Sequence, residues 1–177
     1  MLAGDSYLAD DPHLLADRGR CRLLLERLNA TTMSDPAARE AILRQLLGGL
    51  GTETEILSPF HCDYGYQIEV GSRTFINFGT VILDSAPVRI GDDVQVGPGV
   101  RIVTPTHPLD PDERRTRIES AAPITIGDEA WLATGAIVCP GVTVGRGTVV
   151  GAGSVVTRDL PDRHLCLGSP CRPVRKL

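Results

Sequence analysis

From Ile126 onward every sixth residue is aliphatic: Leu132, Val138, Val144, Val150 and Val156 follow in step. With 42% of the chain apolar, six hits at a preset spacing arise by chance roughly once in two hundred trials. The residue after each beat is small or polar (Gly127, Ala133, Cys139, Gly145, Gly151, Thr157). The residue two before is apolar or small (Ile124, Ala130, Ala136, Val142, Thr148, Ser154). Positions two apart share one face of a strand, so each beat and its predecessor point inward together. A turn is expected near the following glycine, where a missing Cβ tolerates unusual backbone angles. Three such strands, each turned from the last, make a triangular coil of eighteen residues. Stacked coils predict a parallel β-helix with Ile126 above Val144. The spacing leaves the handedness open.

The beat recurs upstream at Val70, Ile76 and Ile82, and again at Ile90, Val96 and Ile102. Ile82 to Ile90 is eight residues, so two extra residues fall around Ser85-Ala86-Pro87. Ile102 to Ile126 is four hexads, yet residues 104–123 carry no beat and are polar and proline-rich. They are expected to form a loop thrown out of the column, and loops of that length in compact domains usually carry function.

Residues before the repeat follow a helical spacing instead. Leu14, Leu15, Leu23, Leu24, Leu25 and Leu28 predict a helix that starts at Asp11-Pro12. A second helix is expected from Ser34-Asp35-Pro36 to Gly48-Gly49, with Leu43, Leu46 and Leu47 on its apolar face. Both are too short to stand alone, so they are expected to cap the open end of the column, where strand edges would otherwise lie bare. The expected organisation is a helical cap over 1–54, the β-helix over 55–165 and a C-terminal tail over 166–177.

Composition narrows the function. A net charge of −4 argues against a general nucleic-acid binder. No run approaches a membrane span, and Met-Leu-Ala-Gly-Asp lacks the basic and apolar regions of a signal peptide, so a cytoplasmic protein is expected. Five cysteines without a Cys-x-x-Cys motif are expected to be free thiols. Of the four histidines, His107 opens the ejected loop in Thr106-His107-Pro108-Leu109, between Pro105 and Pro108. A lone loop histidine is ordinarily a solvated side chain; imidazole is also the natural general base near neutral pH.

The company of His107 favours the base. The hexads, the Met-Leu-Ala-Gly start with Tyr7 and Asp11-Pro12, and Cys62-Asp63-Tyr64-Gly65 form one set of motifs. Asn77-Phe78 through Val81-Ile82-Leu83-Asp84, Thr106 to Pro111 and Gly151 to Thr157 form another. Together, over nearly the whole chain, they resemble the maltose/galactoside O-acetyltransferase family. The resemblance implies a left-handed parallel β-helix, mainly β, assembled as a homotrimer with sites between subunits. It implies acetyl-CoA as donor, a small sugar acceptor and no metal. His107 matches the family's base, Asn77 a residue of the acceptor site, and Thr134 the position whose N–H faces the oxyanion. Asp63, Asp84, Glu119 and Asp10 match positions on the acceptor side, although aspartates also cap turns. Trp131, Ala152, Thr157 and Arg158 match the coenzyme groove, and Arg172 and Arg175 match phosphate contacts suited to a planar guanidinium. Trp131 could also be a cover between coils, and the two arginines a solvated end.

Three departures stand out: Leu132-Ala133-Thr134 at the oxyanion position, Gly79 after Asn77-Phe78, and Arg158 for a common lysine. A metal-dependent hydratase on the same column would need about three converging histidines, and His61, His107 and His164 are scattered. A non-catalytic column would not need the His107 loop, Asn77 or the arginine tail. An acetyltransferase for serine, a xenobiotic or a chitooligosaccharide differs from the sugar reading only in its acceptor.

Overall fold

The structure, a computed structural model, describes Met1 and residues 4–177; Leu2 and Ala3 of the Met-Leu-Ala-Gly motif lie outside the described residues. Three parallel sheets form the faces of a prism. The first face stacks Gly49–Leu50, Ile68–Val70, Val88–Ile90, Ile124–Ile126 and Thr143–Val144. The second stacks Glu55–Ile56, Phe75–Ile76, Gln95–Val96, Trp131–Leu132 and Val149–Val150, then continues through His164–Gly168 and Cys171–Lys176. The third stacks His61–Cys62, Val81–Leu83, Arg101–Val103, Ile137–Val138 and Val155–Val156. Beat residues pair in register down each face, as in Ile82–Ile102–Val138–Val156, and they form the buried core. Ile126 lies opposite Val144, as the hexads predict.

Coil length departs from that expectation upstream. Leu50 pairs with Val70 and Val70 with Ile90, so these coils take twenty residues rather than eighteen. The two extra residues fall each time at the corner after the third face, at 63–67 and at 84–87. The ejected segment 104–123 leaves from that same corner. Every irregularity of the column is therefore gathered along one edge.

The glycines after the beats do a different job from the one expected. Gly71 and Gly127 keep ordinary φ, but a Cβ there would lie 2.5 Å from the Gly91 carbonyl carbon and 2.7 Å from the Arg146 nitrogen of the next coil. Close stacking of coils demands those glycines. The left-handed backbone sits two residues further on, at Gly135 and Gly153 but also at Arg73 and Glu129.

Helix α1 (Pro12–Ala30) begins where expected, with Asp11 accepting the His13 N–H at 2.8 Å. It buries Cys21, Leu24, Leu25 and Leu28, whereas Leu15 and Leu23 face outward. Helix α2 (Pro36–Leu46), capped by Asp35, stops short of the glycine pair. Gly49 instead opens the first strand, and Gly48 nestles against the Tyr66 carbonyl, where a Cβ would clash. Both helices join the hydrophobic core of the first coils. At the other end the hairpin of His164–Gly168 and Cys171–Lys176 closes the second sheet antiparallel. Its outer strand carries Pro173, Arg175 and Lys176, residues that discourage edge-to-edge pairing. No described helix is long and apolar enough to cross a membrane.

Candidate active site

The segment 104–123 is not an open loop. Pro105–Thr106 and Ile118–Ala121 pair antiparallel, and Tyr7–Leu8 adds a third strand to the arm. A short helix, α3 (Pro111–Arg114), turns the arm around, capped by Asp110. This pairing puts Tyr7 directly opposite Glu119. The Tyr7 hydroxyl donates to Glu119 Oε2 at 3.0 Å, and Glu119 Oε1 lies 3.7 Å from His107 Nδ1. Burial, with the Glu119 carboxylate adding to it, pushes the Tyr7 phenol up to about 12, so it stays a donor. Tyr7, Glu119 and His107 thus lie in a row, with Nδ1 on the side of the imidazole nearer the carboxylate.

His107 and Glu119 line an open cavity of about 450 Å³ with Asp10, Arg18, Arg114 and Arg117. Arg117 donates to Asp10 Oδ2 at 2.8 Å, and Arg18 to Tyr64 Oη at 2.7 Å and the Ala9 carbonyl at 2.5 Å. Asp63 flanks this corner; burial raises its carboxyl, and Arg18 draws it back down.

A second groove, about 550 Å³, runs along the second face. Trp131 stands half-exposed in it, with Asn77, Pro98, Thr134 and Ala152 along its corner and Leu165 at its far end. Arg175 pairs opposite Leu165, beside that end. The neighbouring N–H groups of Ala133 and Gly135 are bonded to Val150 and Pro98 carbonyls. Among the described residues no acceptor takes the Thr134 N–H. Asn77 Oδ1 accepts the Phe78 N–H at 2.8 Å, so its amide nitrogen is the free end.

Residues 1–51 match the maltose acetyltransferase hexapeptide capping motif, and residues 123–158 match the bacterial transferase hexapeptide family of six repeats. A maltose O-acetyltransferase structure from Clostridium difficile superposes with a TM-score of 0.98 at 41% identity, over 99% of this chain and 94% of that one. A galactoside acetyltransferase solved in complex with coenzyme A superposes at 0.95 and 32% identity, over 98% and 87%. The chain belongs to the maltose/galactoside O-acetyltransferase family. It is an acetyltransferase of that family's β-helical type. Nodulation protein L of Rhizobium meliloti is another relative, 45% identical over 97% of this chain and 94% of its own length.

Within this acetyltransferase the expected site residues fall into two groups. His107, Glu119 and Asp10 meet at the third corner, beside Asp63. Asn77, Thr134, Trp131 and Ala152 meet at the second corner. Thr157 and Arg158 are exposed at the third corner, away from Trp131, and Arg172 and Arg175 lie on the last strand, with Arg172 bonded to the Cys171 carbonyl. No described cavity holds both His107 and Thr134.

Asp84 is corrected by the structure. It was expected to line the sugar pocket, but it is wholly buried. Its Oδ1 accepts the N–H groups of Asp63 at 3.0 Å and Tyr64 at 2.9 Å, which locks the extended turn that presents Asp63. Its Oδ2 is the one buried side-chain polar atom without a partner among the described residues. Sequence reading missed Arg18, Arg117 and the role of Tyr7. No local pattern marks them, since Tyr7 and Glu119 are 112 residues apart.

Burial pushes the Asp84 carboxyl up from 3.8 to about 6, against the pull of the Tyr64, Asp63 and Gly65 N–H groups. Folding therefore favours the protonated form. That contribution is full below about pH 4 and is lost as pH rises through about 6; it amounts to about 3 kcal/mol in all. Between pH 4.5 and 7.5, urea unfolding of the wild type should shed about 2 kcal/mol more stability than Asp84→Asn does. Parallel losses in the two proteins would show that this carboxyl ionises without penalty.

Proposed function

We propose that this protein transfers the acetyl group of acetyl-CoA to a sugar hydroxyl, with His107 as general base. The observation that carries the reading is the placement of the imidazole: Nδ1 lies 3.7 Å from Glu119, itself held by Tyr7, and the ring lines an open cavity of about 450 Å³. The acceptor hydroxyl gives its proton to Nε2 as its oxygen attacks the thioester carbonyl carbon. The oxyanion that forms is met by the Thr134 N–H, a fixed dipole aimed where charge develops. The C–S bond then breaks, and the imidazolium returns the proton to the departing sulfur. The products are the O-acetyl sugar and free coenzyme A. Asn77 would hold the acceptor from the groove side, while Asp63, Asp10 and Arg18 would grip its other hydroxyls. Thiol release from acetyl-CoA, read across glucose, maltose, galactosides, chitooligosaccharides and serine, tests the reading. Turnover confined to non-sugar acceptors would refute it.

Donor binding is assigned to the second groove. Trp131, Ala152 and Thr134 would take the pantetheine arm, and Arg172 and Arg175 the phosphates, with Thr157 and Arg158 supplied from the neighbouring edge. Coenzyme A bound to the galactoside relative supports a coenzyme role for this fold. The double variant Arg172→Ala with Arg175→Ala should raise KM for acetyl-CoA at least ~10-fold, as loss of two charge-assisted contacts implies. A change confined to the acceptor KM would put the donor elsewhere.

The two half-sites lie on different corners of the prism, so a complete centre needs a second copy of the chain. A homotrimer, each cleft taking His107 from one protomer and Thr134 from its neighbour, supplies three such centres. Random co-assembly of equal amounts of His107→Ala and the double arginine variant then regenerates about a quarter of the intact sites. Under limiting acetyl-CoA the mixture should be well above the mean of the two parents. A mixture that only averages them would place each site within one chain.

A further inference from the structure

We propose that Cys21 and Cys62 are an oxidisable dithiol, a disulfide site that latches the helical cap onto the β-helix. Cys21 lies on the inner face of α1 and is fully buried; Cys62 ends the first strand of the third face and is partly exposed. Their sulfurs are 3.6 Å apart and share an S–H···S hydrogen bond, and Cys21 Sγ also sits 3.6 Å from the Cys62 carbonyl. A disulfide places its sulfurs ~2.0 Å apart, so the two need to approach by only about 1.6 Å. The hydrogen bond to Cys21 and burial hold the Cys62 thiol far above its ordinary range. The pair therefore rests as a dithiol until an oxidant arrives.

Cys139 has no thiol partner among the hydrogen bonds of the described residues, and Cys166 and Cys171 are both buried in the C-terminal hairpin. Cys62 is the less buried member of the proximal pair and so the point of entry. The Cys62 thiol, held protonated, gives up its proton to solvent as its sulfur slowly attacks a small-molecule disulfide and expels one thiolate, which takes up a proton in turn. Cys21 then attacks the Cys62 sulfur of the mixed disulfide and expels the second. Two protein thiols are oxidised, one small disulfide is reduced to two thiols, and nothing else is consumed.

The placement gives the bond a consequence. Cys21 lies one turn after Arg18, which donates to Tyr64 Oη and the Ala9 carbonyl; Cys62 immediately precedes Asp63. A bond between them ties the helix that holds Arg18 to the strand that leads into the His107 corner. It also closes a long loop of chain between cap and column, which penalises the unfolded state.

The experiment uses the full-length folded protein and oxidised glutathione, with titration of thiols after denaturation and non-reducing proteolytic mapping. The expected result is a fall from five thiols to three, one cross-linked fragment joining Cys21 to Cys62, and an unfolding midpoint raised by ~5 °C. Dithiothreitol should reverse all three changes. Cys21→Ser should instead keep a glutathione adduct on Cys62 and gain no stability. Five persistent thiols would overturn the proposal, as would a stable glutathione adduct on Cys62 of the wild type, a link between Cys166 and Cys171 in its place, or a cross-link that leaves the midpoint unmoved.

Discussion

Replacing His107 by alanine should cut turnover at least ~100-fold, the lower end of what a positioned acid–base group supplies. The effect should fall on kcat, with KM for acetyl-CoA little changed, because the imidazole lines the cavity proposed for the acceptor and the groove proposed for the donor lies on another corner. Steady-state thiol release at saturating donor measures both. The carboxylate behind the ring gives the claim a second edge. Glu119 is bonded to Tyr7 and lies 3.7 Å from His107 Nδ1, so Glu119→Gln, which removes the charge beside the ring, should lower kcat ~10-fold, well short of the histidine loss. A His107→Ala protein that turns over near the wild-type rate would remove the base. Equal losses for both variants would mean that the carboxylate itself touches the reacting atoms.

Arg39→Met should be the most destabilising single change outside the hydrophobic core, costing ~2–4 kcal/mol. The side chain is buried at 4% exposure. One guanidinium nitrogen donates to the Leu28 and Thr31 carbonyls at 3.0 Å each; the other donates to the Ile56 carbonyl at 2.8 Å and Ser58 Oγ at 3.0 Å. Two of these acceptors end α1, where unpaired carbonyls gather negative charge. The others belong to the first coil. One residue of α2 therefore joins both helices to the column, and methionine would fill the space while stranding the Thr31 and Ile56 carbonyls; the Leu28 carbonyl keeps the Thr31 N–H and the Ser58 hydroxyl. Urea unfolding reads the loss directly. A cost under ~1 kcal/mol would show that water enters and satisfies those groups.

Legibility in the sequence followed the range of the interactions. The hexads gave the column, its inward residues and the Ile126–Val144 register, because one coil stacks on the next by a fixed chain interval. The proline-led helix starts were legible because Asp11 and Asp35 cap amides two and three residues away. The end of α2 was not, because Gly48 is needed for close approach to Tyr66 rather than for a helix stop. Asp84 was expected in the pocket because the family resemblance matches it to the acceptor side, but the wider corner of the twenty-residue coils turns it inward.

Periodicity, by itself, determined a stacked parallel column and an arm expelled from it at residues 104–123; the family resemblance of the motifs around His107 supplied the class of chemistry to look for. Only the tertiary structure decided that the arm is a strand-paired hairpin, that Tyr7 stands behind Glu119, and that His107 and Thr134 sit on separate corners. A repeat specifies neighbours one coil away, since each coil presents the same face to the next. It carries no information about which distant segments the irregular corner gathers; those contacts depend on where the chain ends up in space.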